Sequence, residues 1–84
     1  MNTLPPFYNL PTEQREAMLF IVQYINTHSR SPSLEEIAIA RDRVVPAVHV
    51  TIKKLTQKGW LTKEKSTARS ITLTEKTLEE IRKD

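Results

Sequence analysis

The chain has 84 residues, a net charge of +3, 38% hydrophobic residues, one glycine and no cysteine. That length holds one small domain with one modest core, and the missing cysteines exclude disulfides and thiolate metal sites. No apolar run approaches the roughly 20 residues of a membrane span, and the opening MNTLPPFYNLP lacks the basic-then-apolar pattern of a secretory signal, so a soluble cytoplasmic domain is expected.

Residues 1–11 hold three of the five prolines and no helical periodicity, which predicts an extended arm carrying Leu4, Phe7, Tyr8 and Leu10. Thr12 is the expected N-cap of a first helix, with Glu13 and Glu16 placed where the helix dipole favours negative charge. Met18, Ile21, Val22 and Ile25 recur at helical spacing, widened by Phe20 and Tyr24, and carry that helix to about His28. Ser29-Arg30-Ser31-Pro32 breaks it. Ser33 and Glu36 form a capping-box pattern that opens a short second helix through Ile37, Ala38 and Ala40.

Arg41-Asp42-Arg43 makes a turn, and Pro46 suits the first turn of a third helix, where its missing N–H costs nothing. Val48, Ile52 and Leu55 form that helix's buried face, and Gly59 ends it. The period then changes to that of strands, over 60–63 and 69–74, joined by a tip at 64–68. Thr74 caps a last segment whose apolar anchors are Leu78 and Ile81; so short a helix needs a surface to pack on. Helix, helix, turn, helix and hairpin is the α+β layout of a winged helix-turn-helix: an arm over 1–11, a domain over 12–74 with a two-stranded wing, and a helical tail over 75–84.

Charge is unevenly spread along this layout. Residues 1–40 sum to −2, residues 41–69 to +6 and residues 70–84 to −1. A basic middle third is the footprint of a surface that meets phosphates. No nucleophile–base–acid constellation is present, a single glycine excludes a Gly-rich phosphate loop, and His28 and His49 lack a third partner at ligand spacing. Binding is therefore expected in place of catalysis, with no cofactor, metal or small-molecule substrate.

The run Leu10-Pro11-Thr12-Glu13-Gln14-Arg15-Glu16, with Phe20-Ile21, Tyr24-Ile25, His28, Arg30 and Pro32-Ser33, resembles the N-terminal DNA-binding domain of LexA repressors. Glu36-Ile37-Ala38, Ile52-Lys53-Lys54-Leu55, Lys58-Gly59 and Trp60-Leu61 extend the resemblance over roughly residues 10–74. The central pattern is shared by many winged-helix repressors; the first helix tilts it towards LexA. The chain has no room for LexA's self-cleaving protease domain. Asp42 stands where that family usually has Gly in a turn one residue longer, and Val44 where it commonly has a capping Ser or Thr.

The resemblance implies that the third helix, about 45–58, lies in the major groove of duplex DNA. Val44, Val45, Pro46, Ala47, His49 and Val50 then face the bases, and of these only His49 can hydrogen-bond a base edge. Lys53 and Lys54 are expected on phosphates, with Arg41 and Arg43 of the turn and Lys63, Lys65 and Arg69 of the wing as further phosphate contacts. Trp60 is expected in the core. Leu19, Val22 and Ile39 are apolar where LexA-like sequences are usually polar. Either the arm, through Leu4, Phe7 and Tyr8, folds back over Leu19, or these residues and the 75–83 segment form a homodimer or partner face.

These features predict a small transcriptional regulator, a repressor before an activator, with double-stranded DNA as its partner. The alternatives are a protein-interaction module using the apolar face of the first helix, and an architectural DNA binder of low sequence preference.

Overall fold

The computed structural model describes residues 4–64 and 69–82, and these form four helices and a two-stranded antiparallel hairpin. The first helix, α1, spans Thr12–His28. Its N-cap is Pro11 and not the expected Thr12; the Pro11 carbonyl accepts the first helical bond from the Arg15 N–H at 2.8 Å. Proline's fixed φ suits a residue that leads into a helix and has no donor of its own to satisfy.

The second helix, α2, spans Leu34–Arg41 and has the expected capping box in full. The Glu36 N–H donates to Ser33 Oγ at 3.1 Å, and the Ser33 N–H donates back to Glu36 Oε1 at 2.9 Å. The helix ends on Asp42 at φ 55°, with the Asp42 N–H bonded to the Ile39 carbonyl and the Arg43 N–H to the Ala38 carbonyl. That paired closure normally uses glycine, so an L-residue here carries backbone strain.

The third helix, α3, spans Val45–Gln57, with Pro46 in its first turn and no side-chain cap from Val44. It closes in the same paired way through Gly59 at φ 87°, the Gly59 N–H reaching the Thr56 carbonyl and the Trp60 N–H the Leu55 carbonyl, each at 3.0 Å. The strands β1 (Leu61–Lys63) and β2 (Ile71–Leu73) pair Leu61 with Leu73 and Lys63 with Ile71. The last helix, α4, spans Glu75–Arg82.

One core joins these elements. Met18 and Ile21 of α1, Ile37 of α2, Ile52 and Leu55 of α3, and Leu61 and Ile71 of the hairpin are buried together, with Trp60 among them. The arm departs from expectation. Phe7 is fully buried, its ring edge-on to Trp60 at 5.2 Å between centroids and 87° between planes. Its backbone turns at φ 60°, the Leu10 N–H bonds the Phe7 carbonyl, and the Phe7 N–H donates to Glu80 Oε2 of α4 at 3.2 Å. The arm is thus a tight turn driven into the core and not the extended arm that its prolines predict.

The tail also finds its surface within the chain. Thr77 is fully buried, donating its hydroxyl to the Trp60 carbonyl at 2.5 Å. The Lys76 ammonium sits 4.2 Å above the Trp60 ring and donates to the Lys58 carbonyl. Among the described residues, no helix is long and apolar enough to cross a membrane.

Candidate nucleic-acid interface

A helix turns about 100° per residue, so the face of α3 opposite Val48, Ile52 and Leu55 is set by the same arithmetic that buries them. Pro46, His49, Val50, Lys53 and Gln57 follow at that spacing as one exposed stripe. Ala47 and Lys54, also exposed, lie on its flank, and Val45 is half-buried against the core. The side chains of His49, Lys53 and Lys54 make no hydrogen bond or ion pair with other described residues. An open cleft of about 620 Å³ runs between α3 and the hairpin, lined by His49, Ile52, Lys53, Thr56, Gln57 and Lys63. Lys63 thus stands across the cleft from Lys53, on the strand that follows the helix.

Arg41, Arg43 and Arg69 behave differently from Lys53 and Lys54, whereas Lys58 already donates to Gln14 Oε1 at 2.5 Å and Lys76 to the Lys58 carbonyl. Arg41, with only 16% of its side chain exposed, places one Nη 3.0 Å from Glu13 and the other 2.8 Å from Glu16. Arg43 grips Glu13 through Nε at 3.2 Å and Nη2 at 2.8 Å, and spends Nη1 on the Arg41 and Asp42 carbonyls. Arg69 forks onto Glu36, with Nη1 2.7 Å from Oε1 and Nη2 2.8 Å from Oε2, and reaches the Ser31 carbonyl and the Tyr24 hydroxyl.

The acidic segment 1–40 and the basic segment 41–69 therefore cancel in space where these pairs form. Arg41, Arg43 and Arg69, expected on phosphates, are engaged within the chain; among the described residues the lysines of α3, Lys53 and Lys54, keep their ammonium groups unpaired, and Lys63 of β1 reaches only the carbonyl of its neighbour Glu64, at 3.2 Å. Lys65 lies outside the described residues.

The titration of the acids follows this geometry. Arg69's hydrogen bonds hold Glu36 down to about 2, helped by the Ser33 N–H. The hydrogen bond from Arg43 lowers Glu13, and Arg41 adds to it. The same pairs raise Arg43 and Arg69.

The apolar face expected on α1 and the arm is divided. Phe7 is core, and Val22 packs against the core from its edge. Leu19 is 43% exposed and Ile39 82%, with Leu4 and Tyr8 also exposed. The arm packs through Phe7 on Trp60 and leaves Leu19 exposed, so the alternative in which it covers Leu19 does not hold.

No protein-family model matches the chain, and no curated protein matches it. The functional reading therefore rests on the stripe, the cleft and the charges. Sequence reasoning missed Gln57 and Thr56 as cleft residues. The signal was present: Gln57 stands four residues after Lys53 and eight after His49, on the same face.

Proposed function

We propose that this protein is a winged helix-turn-helix transcriptional regulator of the cytoplasm that binds duplex DNA with α3 in the major groove and the hairpin as its wing. The observation that carries this is the separation of its cations. Arg41, Arg43 and Arg69 tie the elements together, while the side chains of Lys53 and Lys54, beside His49 on α3, have no partner among the described residues, and Lys63 stands across the cleft. The order of helices and hairpin supports the fold named here. The groups offered to DNA suit phosphates better than bases, since ammonium groups act as point charges without a planar fork, and beside them this face offers His49 and Gln57 for pairing with a base edge. Affinity then comes mainly from the backbone, with modest sequence selectivity and repression by occupancy.

The test is fluorescence anisotropy with mixed-sequence duplexes at about 50 and 200 mM salt. Each phosphate neutralised contributes about 0.9 to the salt slope, so Lys53→Ala/Lys54→Ala is expected to reduce it by about 2. A slope unchanged in that variant refutes the assignment of α3.

A second reading, a protein-interaction module, is favoured by Ile39 at 82% exposure and Leu19 at 43% on separate helices. Absence of DNA binding even at low salt selects it. A homodimer on a two-fold site remains part of the first reading, but Phe7 and Thr77 are already buried within the chain, so its contacts fall to Leu19, Ile39 and Tyr8.

A further inference from the structure

Arg69, two residues before β2, spends four hydrogen bonds on the helical body, as many as Arg43 makes within the chain. Arg69 reaches three places on the helical body: the Glu36 carboxylate by both Nη atoms, the Ser31 carbonyl at 3.0 Å and the Tyr24 hydroxyl at 3.2 Å. The strand it leads into is tied at the same point, because the Ile71 N–H donates to Ser31 Oγ at 3.1 Å. Ser31 is buried, its hydroxyl donating in turn to the Pro32 carbonyl at 2.8 Å.

Glu36 is equally committed. The Oε1 that receives Arg69 also receives the Tyr24 hydroxyl at 3.1 Å and the Ser33 N–H that begins α2. The start of α2, the end of α1 and the start of β2 thus meet at one carboxylate. Lys63 pairs directly with Ile71, two residues beyond Arg69, so the place of Lys63 across the cleft depends on where β2 is held.

We propose that Arg69 is a positioning residue for DNA binding and not a phosphate contact: with Glu36 and Ser31 it latches the hairpin to the helical body and so fixes Lys63 at the separation from Lys53 that the sugar–phosphate backbone requires. The consequence for DNA rests on the reading above, whereas the latch is a property of the free protein.

Simple charge counting and the latch give opposite expectations for Glu36→Gln. Removing an acid from a DNA-binding protein raises affinity if charge alone matters. Glutamine keeps the capping acceptor, since Gln serves the capping box as Glu does, so the variant folds while the ionic fork is lost. The latch therefore predicts weaker binding, by about threefold to tenfold, and a salt slope within about 0.5 of wild type. Arg69→Lys separates the two roles from the other side. A lysine keeps a phosphate contact but cannot reproduce the planar fork, so a latch loses as much affinity in Arg69→Lys as in Arg69→Gln. The double variant Glu36→Gln/Arg69→Gln is expected to be no worse than either single change.

A readout without DNA accompanies these: the amide exchange rate of Ile71, expected to rise by about tenfold in Glu36→Gln and in Arg69→Lys. Tighter DNA binding by Glu36→Gln, or Arg69→Lys binding like wild type while Arg69→Gln loses one phosphate from its slope, overturns the positioning role. If no duplex binds wild type, the DNA reading fails by itself, and Ile71 exchange decides the latch: unchanged protection in both variants overturns it.

Discussion

Replacing Phe7 by alanine removes a fully buried ring that stands edge-on to Trp60 in a segment outside every regular element. Buried Phe→Ala changes cost about 3–5 kcal/mol, and the aromatic pair accounts for about 1 kcal/mol of it. The positive φ at Phe7 does not soften the loss, because alanine meets the same steric penalty there. The lower figure applies, since an arm at the surface can settle partly into the vacated space. About 3 kcal/mol is a large share of the roughly 4–13 kcal/mol available to a domain of this size, and it lowers Tm by about 12–24 °C. Urea unfolding followed by far-UV circular dichroism measures it, with the fluorescence of the single tryptophan as a second probe. Tyr8 is the internal control: it is 49% exposed, and Tyr8→Ala is expected to change stability by no more than about 0.5 kcal/mol. Equal losses in the two variants, or a Phe7→Ala cost under about 1 kcal/mol, refute the arm as part of the core.

The two helix closures make a matched pair. Asp42→Gly relieves an L-residue at φ 55° and is expected to stabilise by up to about 1 kcal/mol, whereas Gly59→Ala at φ 87° destabilises by about 1–2 kcal/mol although its Cβ meets nothing nearer than Lys76 Cδ at 3.8 Å. Thermal melts read both, and a melting point lowered by Asp42→Gly contradicts the strain argument. Glu36 is held at about 2 in the folded chain against an ordinary value of 4.5, so its contribution is complete above pH 4.5 and is lost as pH falls from there towards 2. Melting temperature should therefore decline over that interval, and Glu36→Gln, lower at neutral pH, should decline less steeply; parallel curves count against the pairing. Lys53→Ala/Lys54→Ala is expected to leave stability within about 0.5 kcal/mol, so that its effect on DNA binding is not a folding defect.

What the sequence disclosed divides along a physical line. Interactions over a few residues were readable: the Ser33–Glu36 capping box, Gly59 at the end of α3, the buried stripe of Val48, Ile52 and Leu55, and the change to strand period after Gly59 all have local causes, though β1 itself begins one residue later than expected, at Leu61. The α3 stripe of the candidate site follows from the same periodicity. What stayed hidden was long-range. Arg41 and Glu13 are 28 residues apart, and Arg69 and Glu36 are 33 apart, so a tally of charge by segment counted as open cations groups that fold onto acids. Phe7 was hidden for a different reason. A proline-rich segment has no period to betray burial, and nothing local marks a phenylalanine that adopts positive φ. Thr12 lost the N-cap to Pro11 by one residue, within the usual ambiguity of helix ends.

The bond between the Phe7 N–H and Glu80 closes the chain on itself across 73 residues of sequence. The arm and α4 are both bound to the Lys58–Trp60 turn, about 18 Å along α3 from Pro46. A domain appended before the arm or after α4 would hang from that same end of the molecule, leaving the stripe from Pro46 to Lys53 uncovered.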